Sequence, residues 1–177
     1  EAGVFVAGDG QLSGNAIRHN HIAGNSNGLR IFGEAGALLQ GNTIDDNANF
    51  GVHMQNAHQN ILEANVFTSS SDIALLLESA SHNSLIDNRL TDGSDGAVAL
   101  IAGSNANRLE GNTLLNSSDN GVYLSESNGN ELLSNTIQYG SDNGIDLNQA
   151  NDNVLRGNDL RFNATGIEMS ASNRNII

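Results

Sequence analysis

The chain has 177 residues, one domain's worth of sequence, and sets 20 acidic residues against seven basic ones, all Arg, for a net charge of −13. That balance excludes the basic face needed to bind nucleic acid or an anionic membrane, and it permits cation binding. There is no Cys, so disulfides and thiolate metal sites are excluded, and no apolar run approaches the roughly 18 residues of a membrane span.

With no Pro or Trp and only 4% aromatic residues, the core falls to Leu, Ile and Val. The chain opens with GVFV (3–6): a small residue, an apolar one, any residue, another apolar one. After an irregular stretch, AGDGQLSG (7–14), come NAI (15–17) and NHI (20–22). The three phrases then return in order: GLRI (28–31), ALL (37–39) and NTI (42–44); GVHM (51–54), NIL (60–62) and NVF (65–67). ALLL (74–77), NSL (83–85) and NRL (88–90) follow, then AVAL (97–100), NRL (107–109) and NTL (112–114). GVYL (121–124), NEL (130–132) and NTI (135–137) precede GIDL (144–147), NVL (153–155) and NDL (158–160), and the chain closes on GIEM (166–169) and NII (175–177).

Each phrase is a strand of two to four residues, and the Asn, Gly and Ser between them are turn formers that tolerate left-handed backbone. No window carries an amphipathic helix. A unit of three short strands cannot bury its own apolar side, but stacked units can, each strand pairing in parallel with its copy about 4.8 Å away. The pattern predicts an all-β, right-handed parallel β-helix of about seven to eight coils of 22 to 24 residues, a single domain over 1–177 that is also readable as a segment of a longer solenoid. The recurrent Asn should form ladders from coil to coil. Open coil ends predict end-to-end self-association or neighbouring domains.

The Asn-x-Ile, Gly-Asn and Gly-Ile-x-Leu phrasing resembles the right-handed β-helix repeats of the pectin-lyase-like superfamily. Within it, the phrasing is similar to the repeat domains of mannuronan C5-epimerases and of the NosD-type carbohydrate-binding and sugar-hydrolysis group. The resemblance spans the whole chain. It implies an extracellular or periplasmic carbohydrate-active module on an extended polysaccharide, with a polyuronate such as alginate the expected polymer and epimerase or lyase chemistry the expected class. A non-catalytic structural or adhesive surface solenoid is the alternative. The epimerase Tyr-Gly-Phe-Asp-Pro-His motif is missing, since the chain has no Pro, and a lyase Lys is excluded because there is no Lys at all.

Period-two alternation turns one residue per first strand outward: Phe5, Arg30, His53, Leu76, Ala99, Tyr123, Asp146 and Glu168. Proton abstraction from a uronate needs a cation for its carboxylate, a base for the C5 proton and an acid on the far side. Arg30, His53 and Tyr123 are the right types, with Asp146 as a further candidate, although three rungs put His53 and Tyr123 about 14 Å apart. Phe5, Arg30, His53, Tyr123 and Glu168 are the expected substrate contacts, with Phe50 and Tyr139 as further aromatic platforms. Asp146 and Glu168, one rung apart, match the roughly 5 Å carboxylate separation of retaining glycosidases.

A second column, Asp72, Asp95, Asp119 and Asp142, falls in the turn before the first strand. Four stacked carboxylates repel unless Asx-turns or a hard cation such as Ca²⁺ compensates, so these four are the expected metal ligands. His19 and His21 are read as sharing a strand face. Met54 and Met169 are both read as core, which gives copper delivery no support.

Overall fold

A computed structural model of the protein describes residues 1–69 and 72–177. All regular structure among the described residues is β-strand, in three parallel sheets of eight, seven and six strands. Strand order in each sheet follows the chain, each strand pairing with its copy in the coil before and the coil after. This is the stacked solenoid the repeat predicts.

The register matches the sequence columns. Leu75 pairs with Val98, 23 residues on, and Val98 with Val122, 24 on. The step from Val4 to Leu29 is 25, the extra length being taken up by the irregular stretch after the first strand.

Four aliphatic stacks fill the interior. In the first sheet they run Leu29–Val52–Leu75–Val98–Val122–Ile145 and Ile31–Met54–Leu77–Leu100–Leu124–Leu147. Leu39 to Leu155 form the second-sheet stack, and Ile22 to Ile137, including Phe67, the third. Each fully buried aliphatic contributes about 1.5–3 kcal/mol. Met169 continues the Leu147 column and is 48% exposed. Met54 is sealed in the core as expected, and Met169 takes the same inward column at half exposure.

The corners are sharp because one residue at each takes positive φ. After the second strand this residue is His19, Gly41, Ala64, Asp87, Gly111, Ser134 or Gly157, each followed by a ladder Asn. His19 thus sits on a corner while His21 lies in the strand His21–Ala23, so the two do not share a strand face. Glycine at the start of the first strand also has a packing reason in the later coils. A Cβ on Gly121 would lie 2.6 Å from the carbonyl oxygen of Gly144 in the next coil, and one on Gly144 would lie 2.8 Å from that of Gly166.

Two buried Asn ladders hold the coils in register, Asn60–Asn83–Asn107–Asn130–Asn153–Asn175 and Asn20–Asn42–Asn65–Asn88–Asn112–Asn135–Asn158. Each side-chain oxygen accepts from the previous rung's Asn, and most side-chain amides also donate to a carbonyl of the coil before. Buried amides are tolerated when fully paired. The irregular stretch closes over a buried carboxylate, Glu34, which is 1% exposed and accepts from the Ser13 hydroxyl and, at 2.9 Å, from Asn15 Nδ2.

Candidate functional site

The outward line of the first sheet is in register from end to end: Phe5, Arg30, His53, Leu76, Ala99, Tyr123, Asp146, Glu168. Its middle is not exposed. Leu76 and Ala99 are buried, so this part of the line is the floor of a recess. The recess divides the predicted catalytic residues into two groups that do not meet.

In the first group, Arg30 and Phe5 border a shallow cavity of about 450 Å³ with Glu1, Ala2 and Asn27. Among the described residues, Arg30 donates through Nη2 to Gln55 Oε1 alone, at 3.5 Å. His53 is mostly covered. Its Nε2 lies 3.1 Å from Glu78 Oε2, and its ring packs against Phe50 at 5.2 Å. Its polar contact is the Glu78 carboxylate.

The second group lines a cavity of about 440 Å³. Asp72, Asp95, Asp119 and Asp146 supply carboxylates, Tyr123 an aromatic wall, and Ile73, Val98 and Ala99 an apolar floor. Three of the four turn acids and the outward strand residues Tyr123 and Asp146, separate in sequence, face one cavity here. Asn148 Nδ2 donates to the Tyr123 hydroxyl oxygen at 3.4 Å.

The acids are arranged in pairs. Asp95 stands beside Asp72, and Asp142 beside Asp119. Burial, followed by repulsion from the paired acid, pushes the carboxyls of Asp72 and Asp119 above the usual range. Asp146 is pushed up by burial and then by Glu168, its neighbour one rung on, with smaller contributions from Asp142 and Asp119. Carboxyls of this kind supply both hydrogen-bond acceptors and, when protonated, donors. The side-chain oxygens of Asn120, which lines the cavity, and of Asn143, in the same column one coil on, are buried without a partner.

Among the described residues no three His, Asp or Glu come together to hold a metal ion. The four turn Asp residues expected to be metal ligands stand as two pairs of neighbouring, mutually repelling carboxyls. Two of the three Ser residues that open the first of these turns, Ser70 and Ser71, lie outside the described residues.

Comparison with known proteins now places the chain. The family described as periplasmic copper-binding protein (NosD) matches residues 1–119 and 94–177. The chain belongs to this family. No curated protein matches it as a relative. Among solved structures, NosD-type coils of this chain are similar to DFA-IIIase from Arthrobacter chlorophenolicus A6 (18% identity, 99% of this chain and 50% of that one, TM-score 0.79). A periplasmic alginate epimerase, AlgG, is 16% identical over 86% of this chain and 48% of that one, with a TM-score of 0.76. The A-module of mannuronan C-5 epimerase AlgE4 from Azotobacter vinelandii is 14% identical over 92% and 55%, with a TM-score of 0.74. At these identities the likeness is one of fold, and the chain spans about half the length of the three structures.

The copper in the NosD description can be tested against the donors present. Copper sites draw on thiolate, thioether and imidazole. This chain has no Cys; Met54 is sealed in the core and Met169 stands alone at the last coil. His21 and His53 each face a carboxylate, at 2.9 and 3.1 Å, and His58 Nδ1 accepts from the Ser81 amide at 3.0 Å. Among the described residues no three His, Asp or Glu gather into such a donor set.

Sequence reasoning named Tyr123, Asp146 and the four turn acids but put them to separate uses. It missed Asn120 and Asn143 as part of the same face. The signal was present: both immediately precede the small residue of their coils, where Ile73 and Gly96 stand in the coils before.

Proposed function

We propose that this chain is a carbohydrate-binding or carbohydrate-acting β-helix, secreted to the periplasm or beyond, that works as one continuous solenoid and holds an extended glycan in its acidic groove. One observation carries the reading: a cavity with carboxylates at Asp72, Asp95, Asp119 and Asp146 beside Tyr123, with no basic side chain among its lining residues. Carboxylates accept from sugar hydroxyls, and an aromatic wall beside an apolar floor receives the C–H faces of sugar rings. Support also comes from the solved structures of similar fold, which include alginate epimerases.

The charge favours an uncharged glycan over a polyuronate. A polyuronate laid along these coils would bring its carboxylates against four of the protein's own. It fits only with a hard cation such as Ca²⁺ bridging the two. If the groove also hydrolyses its glycan, Asp146 is the residue suited to donate a proton, since its carboxyl is pushed up beside Glu168.

The test is binding to arrayed neutral glycans and polyuronates, in calcium and in chelator, with Tyr123→Ala and Asp146→Asn alongside. Neutral-glycan binding that ignores chelator and weakens about tenfold or more in Tyr123→Ala, about 1.4 kcal/mol, supports the reading. Calcium-dependent polyuronate binding redirects it to the bridged polymer. No binding to any glycan sinks it in favour of a structural solenoid.

A further inference from the structure

The corner that follows the third strand has positive φ in coil after coil. It is filled by Asp46, Ser69, Asp92 and Asn116, with φ of 48°, 52°, 60° and 60°. Asp and Asn suit this left-handed backbone, and bulky side chains are uncommon there. In the next two coils the position holds Tyr139 and Phe162, with φ of 61° and 64°. Both rings are largely exposed, at 53% and 64%, and they stack on each other with centroids 5.0 Å apart and planes 9° from parallel. The Arg161 guanidinium lies 5.9 Å from the Phe162 ring and is itself held by Asp159.

Folding does not account for this pair. Neither residue reaches the core, and a polar residue serves the same corner in the earlier coils. Strained backbone at both corners, and a Tyr139 ring that stays 53% exposed with a coil on either side of it, point to contact with something else.

Their place in the fold says what. Tyr139 leads through Gly140 and Ser141 to Asp142, and seven residues on to Asp146 in the strand Asn143–Asn148. Phe162 precedes Glu168, in the strand Thr165–Ser170, by six. The Gly140 amide donates to Asn163 Oδ1 at 2.9 Å, tying the two corners together. The stacked pair lines no part of the groove itself but stands at the corners from which the chain turns toward it, a lip in the two coils that carry Asp146 and Glu168. Polar groups flank it: Gln138 Nε2 donates to Asp159 Oδ2 at 2.7 Å, and Asp159 is paired with Arg161.

We propose that Tyr139 and Phe162 form an aromatic subsite that packs against sugar rings of the same glycan as it leaves the acidic groove. The inference rests on the proposed function. Apolar ring surface takes the C–H face of a sugar, while neighbouring Asp, Gln and Arg take its hydroxyls. The Tyr139 hydroxyl lets this lip choose between sugars by their polar edges.

The experiment sets binding against stability in Tyr139→Asn/Phe162→Asn, which restores the corner chemistry of Asn116. Affinity for soluble dextran, levan, galactomannan and xyloglucan is measured by affinity electrophoresis, and thermal midpoints and sedimentation are recorded on the same samples. The expected result is binding at least ten-fold weaker with an unchanged or higher midpoint. Tyr139→Leu/Phe162→Leu keeps apolar surface but removes the rings, and it too should lose binding, so the proposal stays testable if the Asn variant folds poorly. Full affinity in either folded variant overturns the subsite and leaves the groove reading standing. A changed oligomeric state with unchanged glycan affinity overturns it in favour of a contact between copies. No binding of the wild-type chain to any of the four polymers overturns the uncharged-glycan groove and the subsite with it.

Discussion

Asn65 and Asn88, one coil apart and both fully buried, are joined twice: the main-chain and side-chain N–H groups of Asn65 both donate to Asn88 Oδ1 at 3.0 Å. Asn88 in turn donates through Nδ2 to the Leu62 carbonyl at 2.8 Å and to Asn112 Oδ1 at 3.0 Å. One side chain thus completes the pairing of groups in three coils.

Removing such a rung strands its partners in the interior. Asn88→Ala should destabilise by about 2–4 kcal/mol, because each buried group left unpaired costs about 1–3 kcal/mol. Asn20, at the exposed start of the same ladder, has fewer buried dependents, and Asn20→Ala should cost under about 1 kcal/mol. Urea unfolding of the two variants checks the difference; equal midpoints would show that the ladder does not set stability.

The acidic groove predicts an unusual pH profile. Asp72, Asp119 and Asp146 have raised carboxyl pKa values in the folded chain, so the folded state binds more protons than the unfolded one above the ordinary value of 3.8. Stability therefore rises as pH falls from neutral through these folded pKa values. Asp152 and Asp159, paired with Arg174 and Arg161, are lowered, and their contribution is lost only as pH falls through values under 3.8. The thermal midpoint should peak on the acid side of neutrality and then drop. Asp119→Asn should raise the midpoint at neutral pH and lose that advantage in acid. A midpoint that falls steadily from neutrality downward would contradict the pairing.

Glu34 should govern the loop above it. Its carboxylate holds Ser13 and Asn15, and Gly8 lies so close that a Cβ there would sit 2.8 Å from Glu34 Cα. Glu34→Ala removes both hydrogen bonds, each worth about 0.5–1.5 kcal/mol, so local opening should increase about tenfold. Limited proteolysis between Gly8 and Gly14 reads this directly. Cleavage at the wild-type rate would show that the carboxylate does not hold the loop.

Opposite charges make a further contrast at Arg30. This side chain borders a different cavity from Asp146 and has only a 3.5 Å contact to Gln55. Arg30→Ala should change glycan affinity by less than about threefold, well under 1 kcal/mol, while Tyr123→Ala costs tenfold or more. Equal losses at both positions, measured by titration, would join the two cavities into one binding track.

Much of this architecture was legible in the residue order. The period, the three strands per coil, the inward aliphatics and the Asn columns all follow from one rule: in a stacked solenoid a residue's neighbour is its own copy one repeat away. Hence Leu75 could be placed over Val98, and Tyr123 beside Asp146, before any coordinates. The same rule holds wherever the repeat length stays constant.

What lay beyond reach were relations that the repeat leaves free. Which acids stand side by side, Asp72 with Asp95 and Asp119 with Asp142, depends on side-chain rotamers in the turns. That Leu76 and Ala99 sink into a floor, that His53 turns to Glu78, and that Tyr139 finds Phe162 depends on how far each turn stands out beside the strand. Pattern assigns a residue to the inside or the outside of a coil. The depth of the outside face, and the grouping of side chains upon it, arise only when all coils are stacked and their turns compete for the same space.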